Sequence, residues 1–134
     1  VTGVQTCALP ISAIKTFLNQ TKTAIHLRLN KIYEGFMRLK QEGFAVDAIE
    51  PMAAMYLTIS FNLKGKTMPN GQVIQHTADM TSYLLQAASL AIVPFAAFGA
   101  DKESNWYRLS VGTCKVEEIP VMLAQLKSAL SQLK

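Results

Sequence analysis

Residues 83–100 read YLLQAASLAIVPFAAFGA, the longest apolar stretch of the chain. A transmembrane helix needs an unbroken apolar span of roughly 20 residues. Here Gln86, Ser89, Pro94 and Gly99 interrupt it. The stretch is read instead as the end of one helix followed by a buried strand. Leu90 to Val93 is a short, wholly apolar run closed by Pro94, the pattern of a strand covered on both faces. Upstream, Thr77 is a candidate cap, and Asp79 falls in the first turn, where negative charge suits the helix dipole. Met80, Leu84 and Ala87 or Ala88 then form the buried face.

Working outward, Asp101 to Asn105 is a polar loop and Trp106 to Val111 a second strand. A last helix is expected over Val116 to Leu133, with Ile119, Leu123, Leu126 and Leu130 inward. Pro120 is tolerated because first-turn amides have no helical partner. In the other direction, residues 55–63 read MYLTISFNL. They alternate and are rich in strand formers. KGKTMPNG at 64–71 is a turn region, and Phe44 to Glu50 is a short candidate strand. From Ser12 to Gln41 the pattern is helical. Ile25, Leu29, Ile32, Phe36 and Leu39 step by 4, 3, 4 and 3 and draw one apolar stripe. Lys22, Arg28, Lys31, Arg38 and Lys40 lie mostly off it. Glu34 and Arg38 stand four apart in the favourable order, and Gly43 is a natural stop.

The order helix, strand, strand, helix, strand, strand, helix defines an α+β domain. Short strands form a small sheet, packed against a long N-terminal helix, a middle helix and a C-terminal helix in a sandwich-like arrangement. The 134 residues are 50% hydrophobic and 16% charged, a folding composition with room for one modest core. A net charge of +4 is mild, and without a basic motif it implies no nucleic-acid partner. The basic side of the first helix is read as solvated or covered by another part of the protein. Two cysteines, Cys7 and Cys114, are too few for a disulfide framework. His26 and His76 have no neighbours at metal-ligand spacing, so no metal site is expected. No membrane segment and no secretory leader are expected, which points to the cytoplasm.

The first eleven residues, VTGVQTCALPI, carry no charge and no periodicity. They resemble the translation of a sequencing-library adapter of the kind found at the edges of metagenomic contigs. The expected division is therefore a non-native tail at 1–11 and a domain at 12–134, the latter part of a longer protein.

Three segments of that domain carry a resemblance. They are Pro51-Met52-Ala53-Ala54-Met55-Tyr56-Leu57, the run from Leu84 to Gly99, and Trp106-Tyr107-Arg108-Leu109-Ser110. In this order and spacing they resemble the C-terminal small domain of the class I/II, fold-type-I, pyridoxal-phosphate-dependent aminotransferases. Arg28-Leu29-Asn30 falls at the family's Arg-Arg-Asp position in the long helix. The likeness runs over about residues 13–133. It implies a transaminase that moves an amino group between an amino acid and a 2-oxo acid, usually as a homodimer. It implies that Arg108 grips the substrate α-carboxylate. A guanidinium suits that task, because its planar fork meets a carboxylate in two parallel hydrogen bonds. The resemblance also implies that this part contributes to closure over the substrate. The Schiff-base lysine and the phosphate cup lie upstream in the family, so no catalytic or cofactor-binding residue is expected within this chain, and the chain alone is expected to be inactive.

Three positions depart from the family pattern: Phe95, Ser89 and Ala53 stand where glycine is usual, which bears on turns that need a positive φ. Ser60-Phe61-Asn62-Leu63-Lys64 loosely imitates a lysine motif, but Gly65-Lys66 follows in place of the family's residues. Lys64 and Lys66 are read as solvated loop lysines. Two other functions remain open from the sequence: a non-catalytic module that binds a small carboxylate through Arg108, and an aminotransferase-like domain of a transcriptional regulator.

Overall fold

A computed structural model describes residues 11–134. Of the expected non-native segment, all but Ile11 lies outside the described residues, and so does Cys7. The chain runs α1 (Ile11–Gln41), β1 (Val46–Ala48), β2 (Tyr56–Phe61), α2 (Thr77–Ala88), β3 (Val93–Pro94), β4 (Trp106–Ser110) and α3 (Ile119–Ser131). The α+β architecture expected from the sequence is the one observed. The four strands form one antiparallel sheet in the order β1-β2-β4-β3.

The helical stripe of α1 does what its spacing predicts. Leu29, Ile32, Phe36 and Leu39 are buried, and Ile25 is half-buried. The helix stops at Gly43, which adopts φ 92°. The Gly43 and Phe44 amides then close back onto the Lys40 and Leu39 carbonyls. That geometry satisfies the carbonyls a helix end leaves open. Arg28 is not on a solvated face: it is half-buried, and its Nη1 donates to the Gly112 carbonyl at 3.4 Å. The Glu34–Arg38 pair is not among the ion pairs of the described residues.

Alternation gives the sheet two unlike faces. Leu57, Ile59 and Phe61 of β2 and Tyr107 and Leu109 of β4 point to the helices and are buried. Phe36 from α1 meets Phe61 edge-on at 5.8 Å, and Phe61 meets Tyr107 the same way at 5.9 Å. The Tyr107 hydroxyl reaches Met80 Sδ of α2 at 3.6 Å. Helix α3 completes this layer with Ile119, Leu126, Ala129 and Leu130, while Leu123 is half-buried. The opposite face carries Tyr56, Thr58, Ser60, Trp106 and Arg108, and the 3-10 turn Phe95–Phe98 lies against Arg108 there.

Several local expectations are corrected. Leu90 is buried, but the run after it is not a buried strand. Only Val93 and Pro94 pair, at the sheet edge beside β4, and Val93 is exposed. Pro94 has no amide to donate, so an edge position suits it. Thr77 is the first residue of α2 and not its cap: His76 holds the cap position, and the Thr77 hydroxyl donates to the Lys102 carbonyl at 3.0 Å. The last helix opens with a 3-10 turn at Val116–Glu118 before α3 proper. Positive φ falls on Ala54 (63°) and Ser89 (52°). Ser89 is thus a left-handed helix end, as its position in the family pattern implies. Beside Pro51, however, the demanding residue is Ala54 and not Ala53. Phe95 opens a 3-10 turn (Phe95–Phe98) and needs no positive φ; Gly99 takes it, at 89°.

Candidate substrate-carboxylate site

Arg108 sits in the middle of β4, an inner strand, on the sheet face turned away from the buried core. Its cross-strand neighbours at the same level are Thr58 of β2 and Val93 of β3. Strand pairing on both sides fixes the backbone from which the side chain starts. The guanidinium then lies against two aromatic rings. Its Cζ is 4.4 Å from the ring centroid of Tyr56 and 4.2 Å from that of Phe98. Both distances are within the range of cation–π attraction. Among the described residues no carboxylate pairs with it; the acidic partners go instead to Lys40, Lys64, His76, Lys115 and Lys127. Arg108 is therefore a half-buried, positioned cation whose N–H fork has no anionic partner within the described chain. A fork of that kind is suited to a planar carboxylate.

A shallow groove of about 280 Å³ continues the same face, lined by Ile49, Thr58, Phe95, Ala100, Ser104 and Trp106. Phe95 and Phe98 meet edge-on at 6.3 Å, so one short turn supplies both the groove wall and the ring on Arg108. Two larger hollows are also present, and the second includes Tyr56, the ring that lies on Arg108. One, of about 440 Å³, sits between the Met68–Gln72 turn and α2. The other, of about 530 Å³, lies beside the exposed N-terminal half of α1.

Lys64 and Lys66 are exposed, as read from the sequence. Lys64 Nζ donates to Glu103 Oε2 at 2.6 Å, and that contact holds the Glu103 carboxyl below its ordinary range. Burial pushes the Cys114 thiol up, away from the thiolate form that makes a cysteine reactive. His76 stands at the start of α2, 3.9 Å from Glu103, and His26 is exposed on α1. Among the described residues no group of three His, Cys, Asp or Glu side chains could hold a metal, and no helix is long and apolar enough to cross a membrane. The two rings on Arg108 are what the sequence reading missed. Tyr56 lay inside a quoted motif, and Phe98 inside another, but nothing in either motif announces a contact with the third.

Sheet order and helix layer describe a small α+β domain similar to the small domain of aminotransferases. Comparison with known proteins points the same way. Over 131 residues the chain is 26% identical to the "probable aspartate/prephenate aminotransferase" of Rickettsia prowazekii (strain Madrid E), a match spanning 95% of this chain and 32% of that protein. Its fold superposes on the aspartate aminotransferase of Rhizobium meliloti with a TM-score of 0.70 and 25% identity, covering 94% of this chain and 29% of the other. The α-aminoadipate aminotransferase LysN of Thermus thermophilus, solved with N-(5'-phosphopyridoxyl)-L-leucine, shares the fold with a TM-score of 0.66 at 18% identity, over 89% of this chain and 28% of that one. No protein-family model matches the chain. The chain thus spans about a third of the length of the curated relative from Rickettsia prowazekii.

Proposed function

We propose that this chain is the small domain of a pyridoxal-phosphate-dependent transaminase and that Arg108 binds the α-carboxylate of its amino-acid and 2-oxo-acid substrates. The observation that carries the reading is the Arg108 guanidinium itself. It is fixed on an inner strand, seated on Tyr56 and Phe98, and without an anionic partner among the described residues. A carboxylate docked on that fork is held at two points, which sets the rotation of the substrate about its Cα. Such orientation supplies rate by positioning. In this reading the domain also closes over the substrate, and the whole protein is a homodimer.

In this reading the cofactor is held by a part of the longer protein upstream of this chain. Lys64, the residue that most imitates a Schiff-base lysine, is exposed and engaged by Glu103. The chain's own part is confined to the substrate carboxylate, and its purified form is expected to show no transaminase turnover.

The test is kinetic. The reading frame is extended upstream from the source DNA, and the longer protein is assayed with Arg108→Ala and Arg108→Lys. Arg108→Ala should lose about 2–5 kcal/mol of transition-state binding across all amino-acid substrates, since the carboxylate is left without its charged mate. Lysine should not restore it, because an ammonium cannot form the two parallel bonds. Unchanged kcat/KM in Arg108→Ala would remove the assignment. Turnover by the 134-residue chain alone would overturn the division of labour.

A further inference from the structure

Arginine side chains are long and rotationally free, and a clamp built on one must restrain its head before the ligand arrives. Strand pairing fixes the Arg108 backbone but leaves its side-chain torsions unrestrained. Restraint here comes from aromatic residues that are distant in sequence. Tyr56 comes from the first residue of β2, Phe98 from the 3-10 turn between β3 and β4, and Phe95 from the start of that turn. Tyr56 and Phe98 both lie on the guanidinium, at 4.4 and 4.2 Å. Phe95 meets Phe98 edge-on at 6.3 Å with an interplanar angle of 69°. Core packing does not explain these rings, because Tyr56 is 41% and Phe98 51% exposed. Two large rings left this open, both turned to one cation, are accounted for by the cation.

We propose that Tyr56 and Phe98 are positioning residues for Arg108, with Phe95 bracing Phe98. The rings hold the guanidinium by its π-facing surface and leave its N–H rim free to donate, so the fork is oriented before a carboxylate reaches it. This pre-orientation lowers the entropy lost on binding. Phe95 stands where glycine is usual in the pattern the chain resembles, so the brace is a feature of this sequence. The inference rests on the reading of Arg108 as a carboxylate clamp.

The experiment uses the whole 134-residue chain, with pyruvate as the probe. The Arg108 Nε–Hε resonance is followed by NMR during titration in the wild type, in Tyr56→Leu and Phe98→Leu, and in the conservative variants Tyr56→Phe and Phe98→Tyr. In the wild type the resonance should lie upfield through ring current and should move with pyruvate. Each leucine variant should lose part of the ring-current shift and bind roughly two- to fivefold more weakly, the scale of one exposed cation–π contact. The conservative variants should keep both properties. Melting temperatures accompany each titration, and Phe98→Leu, in a turn outside the core, carries the test if Tyr56→Leu unfolds. Wild-type affinity in the leucine variants overturns the positioning role while leaving the clamp intact. A wild-type resonance that ignores pyruvate overturns the clamp and the positioning role with it.

Discussion

The Tyr83 hydroxyl donates a 2.7 Å hydrogen bond to the main-chain carbonyl of Ala129, joining α2 to the last turn of α3. Helix ends leave carbonyls without intrahelical partners. The Ala129 carbonyl accepts from the Gln132 amide at 3.2 Å and takes its second, buried donor from another helix. Tyr83→Phe keeps the ring and removes only the bond, and should cost about 1 kcal/mol in urea unfolding. Burial raises the ionisation of both Tyr83 and Tyr107 above the ordinary tyrosine range. The folded state therefore holds these protons more tightly than the unfolded chain. Their contribution is fully present below about pH 10, the unfolded value, and is lost as pH rises through the folded values. An alkaline stability limb that remains unaltered in Tyr83→Phe would assign the whole limb to other groups.

How far these features could be read in advance follows a physical line. The α1 stripe, the alternation of β2 and the α3 stripe are periodic signals. Periodicity reports burial on one face directly. The place of Arg108 on a strand was legible because its motif is contiguous. The Leu90–Val93 run was misread because composition alone does not tell an apolar run that is covered on both faces from one at a sheet edge. Thr77 was misplaced as a cap because His76, one residue earlier, takes that position, and a one-residue shift leaves the apolar pattern unchanged. Tyr56, Phe98 and Arg108 meet only after β2, β4 and the turn between β3 and β4 have assembled. No local spacing encodes that convergence.

Gly35 of α1 lies directly against Leu123 of α3. A Cβ at this position would overlap Leu123 Cδ1 and Cδ2, and would stand 3.0 Å from its Cγ. Gly35→Val adds a branched side chain to that contact and should destabilise the chain by about 1–3 kcal/mol, the usual cost of overpacking. Leu123→Ala alone removes apolar contact and is also destabilising. Combined, the two should cost less than the sum of the singles, because the alanine makes room for the valine. Strict additivity in a double-mutant cycle would show that the two positions do not meet.

Asp79 anchors the start of α2 by accepting hydrogen bonds from the His76 amide at 2.9 Å and the Gln75 amide at 3.1 Å. Those two bonds hold its carboxyl below the ordinary aspartate range. The ionised form is therefore favoured in the folded chain. Its contribution is present above about pH 4, the unfolded value, and is lost as pH falls through the lower folded value. Asp79→Asn should be less stable than the wild type near neutral pH, and the gap should close in acid. Thermal melts of both proteins between neutral pH and strong acid measure it. A gap that is constant with pH would mean that the charge of Asp79 plays no part.

Ala54 and Ser89 are the two non-glycine residues of the described chain with positive φ, at 63° and 52°. Side chains with a Cβ adopt this region at a cost that glycine avoids. Ser89 ends α2, and its amide closes onto the Leu84 carbonyl; the left-handed end is the position where helices favour glycine. Ser89→Gly and Ala54→Gly should each stabilise the fold by about 0.5–1 kcal/mol. Relief of native strain outweighs the extra freedom glycine gives the unfolded chain. Ala53→Gly supplies the control, since Ala53 is not at positive φ and the change only loosens the unfolded state, so it should be neutral or destabilising. The three variants together separate two accounts of the segment before β2. Stabilisation at 54 with none at 53 places the strained turn on Ala54, as the backbone geometry requires. The reverse pattern in urea unfolding would place it on Ala53, the position where the family pattern usually has glycine.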